Sequence, residues 1–180
     1  MKALQEATLD KIVSARKPFG LPTAAKPIEN GDVTLRCRNG KGPFDRSRVT
    51  AGKGMIDKWK IIISRLTAEH AGQPDKNGQF RVLSTMEELG PGEVCSETYL
   101  VACAFETKVE ADNYMNYLKT KFARFLILQI AMTQQISRLT FSYVPVQDFK
   151  ERWTDKKLYD KYKLTSEEVG FIEKMIKEIK

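Results

Sequence analysis

Between Val33 and Arg38 apolar and polar residues alternate, with Val33, Leu35 and Cys37 on one side and Thr34, Arg36 and Arg38 on the other. That period of two predicts a strand with one buried and one basic face. Trp59 to Ser64 is different: Ile61-Ile62-Ile63 is unbroken apolar sequence, which predicts a strand in the middle of a sheet. Phe80–Leu83 and Thr98–Phe105 supply further strands, and Tyr143–Val146 a last short one. In the 98–105 segment Leu100, Ala102 and Ala104 face opposite to Val101, Cys103 and Phe105. Asn39-Gly40 and Gly42-Pro43 are turn signals.

Helical spacing appears at both ends of the chain. Ala3 to Ala15 places Leu4, Leu9, Ile12 and Val13 near one face, and Pro18, Gly20 and Pro22 stop it. Glu106 to Met132 is the longest helical pattern and predicts two helices broken near Thr120. Phe122, Phe125, Leu126 and Gln129 recur there at intervals of three and four, an inward face. A short helix begins at Thr154 and carries Leu158, Tyr159 and Tyr162. A second opens at Thr165, with Glu168 three residues on to complete a capping box. Phe149 and Trp153 are expected to pack under this terminal hairpin. The order predicts an α+β fold: a mixed sheet in the first two thirds, then a long helix pair and a C-terminal helical hairpin. One domain is expected over 1–180, with 1–15 as a linking helix, 16–105 basic and sheet-rich, and 106–180 helical.

Charge narrows the partner class. Residues 1–81 hold 16 Lys/Arg against 8 Asp/Glu, net +8, whereas 82–180 hold 14 against 15. Arg36 to Arg65 alone carries 9 basic and 2 acidic residues, equal to the whole net charge of +7. A solvated face usually mixes signs. Arg36, Arg38, Lys41, Arg46, Arg48 and Lys53 in a turn-rich region instead form what a polyanion-binding surface needs, since neutralised phosphates release condensed counterions. A basic surface that only confers solubility is the plainer account. Gln134, Gln135 and Arg138 cluster between the long helical pattern and the last strand. Gln and Arg can bond adenine and guanine edges in pairs, and the same cluster is also a simple solvated helix end.

A hydrophobic fraction of 42% with 29% charged residues is ordinary globular usage. Cys37, Cys95 and Cys103 form no Cys-x-x-Cys pair, and His70 is the only histidine, which argues for reduced thiols and against a zinc set. The run Phe125–Met132 is too short to cross a bilayer, and Glu6 and Asp10 disqualify the first residues as a signal peptide. Catalytic equipment is not expected either. The sequence has no Pro-Pro pair and no strand–Gly-x-Gly–helix unit, and Gly52-Lys53-Gly54 lacks a phosphate-cradling helix pattern after it. Pro74-Asp75 has no downstream acid-x-Lys, since Glu87-Glu88-Leu89-Gly90 holds no lysine for a Mg²⁺ nuclease site. Beside Glu69, with Ser64 and Thr67 near, His70 reads as a surface loop histidine rather than a base for a nucleophile.

Several runs share one likeness. Val144-Pro145-Val146-Gln147-Asp148-Phe149 through Trp153-Thr154-Asp155 to Lys177, together with Arg16-Lys17-Pro18-Phe19-Gly20-Leu21, Ile56-Asp57-Lys58-Trp59-Lys60, Ser96-Glu97-Thr98-Tyr99-Leu100 and Thr120-Lys121-Phe122-Ala123-Arg124-Phe125, occur in a fixed order. They resemble the C-terminal target-recognition region of adenine-specific DNA methyltransferases, including fused methylase–endonucleases, of type II restriction–modification systems. The family often carries basic residues where this chain has Leu128 to Met132. The resemblance implies a non-catalytic, cytoplasmic module that binds double-stranded DNA and sets site specificity. A methyltransferase or nuclease domain, in cis or in trans, would hold S-adenosylmethionine and any Mg²⁺ and act on a flipped base. Arg16 and Lys17, at the head of the resembling runs, join the basic residues above as candidate DNA contacts. Two other readings remain: a module that docks on such a partner with little DNA contact, and a nuclease whose metal site the sequence does not display.

Overall fold

The apolar run Ile61-Ile62-Ile63 sets the architecture. In the computed structural model, which describes residues 6–65, 73–83, 85–131 and 135–179, it lies in strand β3 (Trp59–Ser64), the middle strand of a sheet ordered β4-β3-β6. Its neighbours β4 (Met86–Leu89) and β6 (Tyr99–Phe105) are both antiparallel to it. Ile61 and Ile63 point into one hydrophobic cluster and Ile62 into another. Such double burial is why the strand reads as continuous rather than alternating.

The second cluster is closed by another sheet, ordered β2-β1-β5, made from β1 (Val33–Cys37), β2 (Gly40–Phe44) and β5 (Glu93–Cys95). Strands β1 and β2 are antiparallel, while β1 and β5 are parallel, so this sheet is mixed. Val33, Leu35 and Cys37 are buried, as their alternation predicts. The expected single sheet is therefore two, packed face to face. Gly42-Pro43 is not a turn: both residues lie in β2, an edge strand, where Pro43 pairs with Thr34 and its carbonyl accepts from Ile28. An edge tolerates the missing donor. Strands β4 and β5 escaped the sequence reading, because a short Glu-rich segment and a three-residue strand carry little periodicity.

Helices cover the other face of the central sheet. Helix α1 (Lys108–Lys119) and helix α2 (Lys121–Leu128) meet at Thr120, which ends the first and caps the second, its hydroxyl accepting from the Ala123 amide. Hairpin α3 (Asp155–Lys161) and α4 (Ser166–Met175) begins at Thr154 and Thr165, the latter with the expected Glu168 capping box. The fold is α+β. Between Ile61 and Ile62 the pairing slips from Cys103 to Val101, leaving Ala102 as a bulge, and the buried Tyr114 hydroxyl donates to its carbonyl at 3.0 Å.

Five local expectations are corrected. The described part of the 3–15 segment holds only a single 3-10 turn at Leu9–Lys11. Its backbone is committed elsewhere: Leu9 donates to Val144, Ser14 donates to Val101, and Ala7 accepts from Val146. Beside those tertiary bonds a single i→i−4 bond remains among the described residues, from Val13 to Leu9. Phe80–Leu83 forms one bridge, Phe80 to Ile176, and Tyr143–Val146 one bridge, Pro145 to Thr8, instead of strands. In α2 the buried residues are Phe122, Ala123, Arg124 and Ile127, while Gln129 is exposed. Phe149 packs against Phe105, Tyr114 and Tyr117, over the central sheet, and Trp153 is only half-buried, its Nε1–H donating to the Asp148 carbonyl at 2.8 Å.

Candidate nucleic-acid interface

The basic block does not reach the surface intact. Lys60 is fully buried, and its ammonium donates to the carbonyls of Ile56, Lys58 and Gly90 at 2.7, 2.7 and 2.9 Å. Burial lowers its pKa to about 8. Arg36 donates from Nε and Nη2 to Glu87 at 2.8 and 2.5 Å and lies over the Tyr99 ring. Lys41 pairs with Glu93 at 2.9 Å, Arg46 with Asp57, and Lys58 with Glu106 at 2.6 Å. Three of those carboxylates, Glu87, Glu93 and Glu106, come from beyond the basic block, so the local excess of charge along the sequence is partly cancelled in space.

Arg38 and Lys53 are exposed and make no hydrogen bond or ion pair among the described residues. Arg48 sits over the Phe44 ring, 4.9 Å from its centroid, and also remains exposed. Arg38 occupies the two-residue tip of the β1–β2 hairpin with Asn39. Among the predicted contacts, Arg16 and Arg38 line one cleft, and Lys17 lies beside it with its ammonium 3.7 Å from Glu97.

That cleft, of about 490 Å³, is lined by Arg16, Arg38 and Arg65 together with Thr23, Ser64, Glu97, Thr98, Tyr99 and Gln135. Its geometry begins with a turn. Lys17 has φ of 59° and Gly20 φ of 73°, and the Gly20 amide donates to the Lys17 carbonyl at 2.9 Å. A Cβ on Gly20 would lie 1.9 Å from the Thr50 hydroxyl, so the position demands glycine on both counts. The turn inserts Phe19, which is fully buried, into the core between the sheets. Arg16 and Lys17 are thereby carried to Glu97, two residues before β6.

Glu97 organises the floor of the cleft. Its carboxylate accepts from Arg16 Nε at 3.2 Å, from the Thr23 amide at 3.2 Å and from the Thr23 hydroxyl at 3.0 Å, with Lys17 Nζ at 3.7 Å. Its own backbone carbonyl accepts from Arg65 Nη1 at 3.3 Å. Burial raises the Glu97 carboxyl, and the Thr23, Arg16 and Lys17 interactions outweigh it and hold the group below the usual carboxylate range. The charge left facing solvent is positive.

Arg138 is exposed on the 3-10 turn Arg138–Phe141 and without a hydrogen bond or ion pair among the described residues. Gln134 lies outside the described residues, as does His70, whereas its neighbour Gln135 lines the cleft. Arg65 and Tyr99 were not singled out as site residues. In the sequence Arg65 is one more charge in the basic block, since what distinguishes it is that it lines the same cleft as Arg16 and Arg38.

Asp75 has a structural task. It accepts from the Asn77 and Gln79 amides at 2.9 and 3.1 Å and from Lys177 Nζ at 2.7 Å. No group of three or more potential metal ligands occurs among the described residues. Among them, too, no helix is long and apolar enough to cross a membrane. No protein-family model matches this chain, and no curated protein matches it.

Proposed function

We propose that this chain is a DNA target-recognition module of a restriction–modification adenine methyltransferase or methylase–endonuclease. The observation that carries the reading is the cleft in which Arg16, Arg38 and Arg65, far apart in sequence, meet hydroxyl groups and the Gln135 amide at the tip of a basic hairpin. Arginines and hydroxyls are the usual phosphate-contacting groups on duplex DNA, and amide side chains can reach base edges. In this reading Arg16, Arg38, Arg48, Lys53 and Arg138 meet DNA directly, and Lys17 supports the cleft floor. Arg36, Lys41 and Arg46 hold the module in shape through their carboxylate partners. S-adenosylmethionine, and any Mg²⁺, belong to a catalytic domain in cis or in trans, and the module works in the cytoplasm.

Fluorescence anisotropy with a labelled duplex over a range of salt tests the reading. Binding should be weak and should fall steeply with salt, because each phosphate contact releases condensed counterions. Affinity that stays flat from low to physiological salt would reject it.

One observation favours the second reading, a module that docks on a catalytic partner. Phe171, 55% exposed, rims an apolar groove of about 410 Å³ with Phe125, Leu164 and Ile172 between α2 and α4. Salt-insensitive capture of the catalytic domain without DNA binding is the result that this alternative requires.

A further inference from the structure

Glu97 holds two arginines of the cleft at once, and by different atoms. Its carboxylate takes Arg16 Nε, and its main-chain carbonyl takes Arg65 Nη1. Arg16 therefore commits one nitrogen, and its two terminal Nη groups make no hydrogen bond among the described residues. Arg38 approaches the same cleft uncommitted. A guanidinium fixed at Nε presents its terminal N–H fork in one orientation, the arrangement that binds a tetrahedral oxyanion in paired bonds. Ser64 and Thr98 line the same space, while the Thr23 hydroxyl spends its proton on Glu97.

We infer that this cleft is a preorganised seat for one phosphate group, with Arg16 and Arg38 as its ligands and Glu97 as a positioning residue. That the phosphate belongs to duplex DNA rests on the function proposed above; that a phosphate fills the seat does not. A carboxylate at the base of an anion site is unfavourable by Coulomb's law alone. Here it is already met by Arg16, Lys17 and Thr23, and holding the fork in place cuts the ordering cost of binding.

The positioning role reverses the sign of a simple substitution. Glu97→Gln removes a negative charge, so electrostatics alone would tighten phosphate binding. Loss of the Arg16 anchor should weaken it several-fold instead. The probe is inorganic phosphate at constant ionic strength, read by the side-chain Nε–Hε NMR signals of Arg16 and Arg38. Saturable shifts of both signals with phosphate and none with chloride are expected. Arg38→Ala, at an exposed and uncommitted position that folding does not need, should weaken phosphate about tenfold, the loss of one charge-assisted bond. Unchanged affinity in Arg38→Ala overturns the seat, and tighter binding by Glu97→Gln overturns the positioning role.

A short duplex added to the phosphate complex separates the sources. Displacement of phosphate by the duplex assigns the seat to the DNA backbone. Duplex binding that leaves bound phosphate in place overturns that assignment and gives the seat to a free phosphate-bearing molecule. Duplex binding with no phosphate response at Arg16 or Arg38 overturns the seat and leaves the DNA reading standing.

Discussion

Arg36 on β1 is bonded to Glu87 on β4 through two nitrogens, at 2.8 and 2.5 Å, so the most regular basic strand position in the sequence joins the two sheets. The same guanidinium donates from Nη1 to the Cys37 carbonyl at 2.6 Å and lies 5.1 Å from the Tyr99 ring centroid. From the alternation alone Arg36 and Arg38 are equivalent candidates to enter a groove. In the folded chain Arg36 spans the sheets and Arg38 stands free at the hairpin tip.

Arg36→Ala is expected to act on stability rather than on DNA. With side chains 19% and 29% exposed, the pair lies between a surface bridge and a buried one, so the loss should be about 2 kcal/mol. A double-mutant cycle with Glu87→Ala, followed by denaturant unfolding, should give a combined loss well below the sum. Strict additivity would show that the two groups are not coupled.

Arg38→Ala and Lys53→Ala should leave melting unchanged and weaken every duplex alike. Each should reduce the slope of log affinity against log salt by roughly one. Loss of discrimination at a single base pair, costing about 1–3 kcal/mol there, would instead mark Arg38 as a reader of sequence. Binding curves on matched duplexes decide between the two.

Arg124 is 1% exposed, and its donors go to main-chain carbonyls: Nε to Lys119 at 3.0 Å and to Thr120 at 3.3 Å, and Nη1 to Lys177. It closes the C-terminal end of α1, where a cation is favoured, and ties down the segment after α4. Burial lowers its pKa to about 10. Arg124→Met keeps most of the volume but takes the side-chain donor from the Lys119 and Lys177 carbonyls, at about 1–3 kcal/mol for each buried one, while the Thr120 carbonyl keeps the amide of residue 124. Faster amide exchange around 175–177, with the central sheet still protected, is the expected signature.

Asp75 gives a pH dependence of known sign. Lys177 and the amides of Gln79 and Asn77 lower its pKa from 3.8 to about 2. A carboxyl depressed in the folded state adds stability that is present above the unfolded value and is lost as pH falls through the folded one. Acid titration should therefore release the 73–83 loop from the segment after α4 as pH drops from about 4 to about 2. Asp75→Asn should remove that step while leaving neutral-pH folding in place, as followed by amide signals of Gln79 and Phe80.

Phe149 and Trp153 should separate cleanly. Phe149 is buried among three aromatic rings, at centroid distances of 4.9 to 5.8 Å, so Phe149→Ala should cost about 3–5 kcal/mol. The half-buried Trp153 should cost about half as much. Equal losses in thermal unfolding would contradict the difference in their packing.

Local chemistry carried a good part of this fold in the sequence itself. Thr120, Thr154 and Thr165 each supply a side-chain oxygen to an amide three residues on, a requirement satisfied within one helical turn. The β1 alternation and the Ile61-Ile62-Ile63 run were legible for the same reason: burial on one face or on two is written in neighbouring positions. What the sequence could not display was any choice made between distant segments. Residues 6–15 have helical spacing, yet Val101, Val144 and Val146 supply backbone partners that a helix would forgo. Phe80 likewise pairs with the segment after α4 instead of with a sheet. The candidate site divides in the same way. The excess of positive charge between Arg36 and Arg65 is a property of composition, but which of those charges face solvent depends on Glu87, Glu93 and Glu106 arriving from later strands and loops. Glu97 gathers Arg16 and Arg65 around Arg38 only after β6 has paired beside β3. Charge is additive along a chain, whereas electrostatic pairing needs approach within a few ångströms, and only tertiary packing decides that.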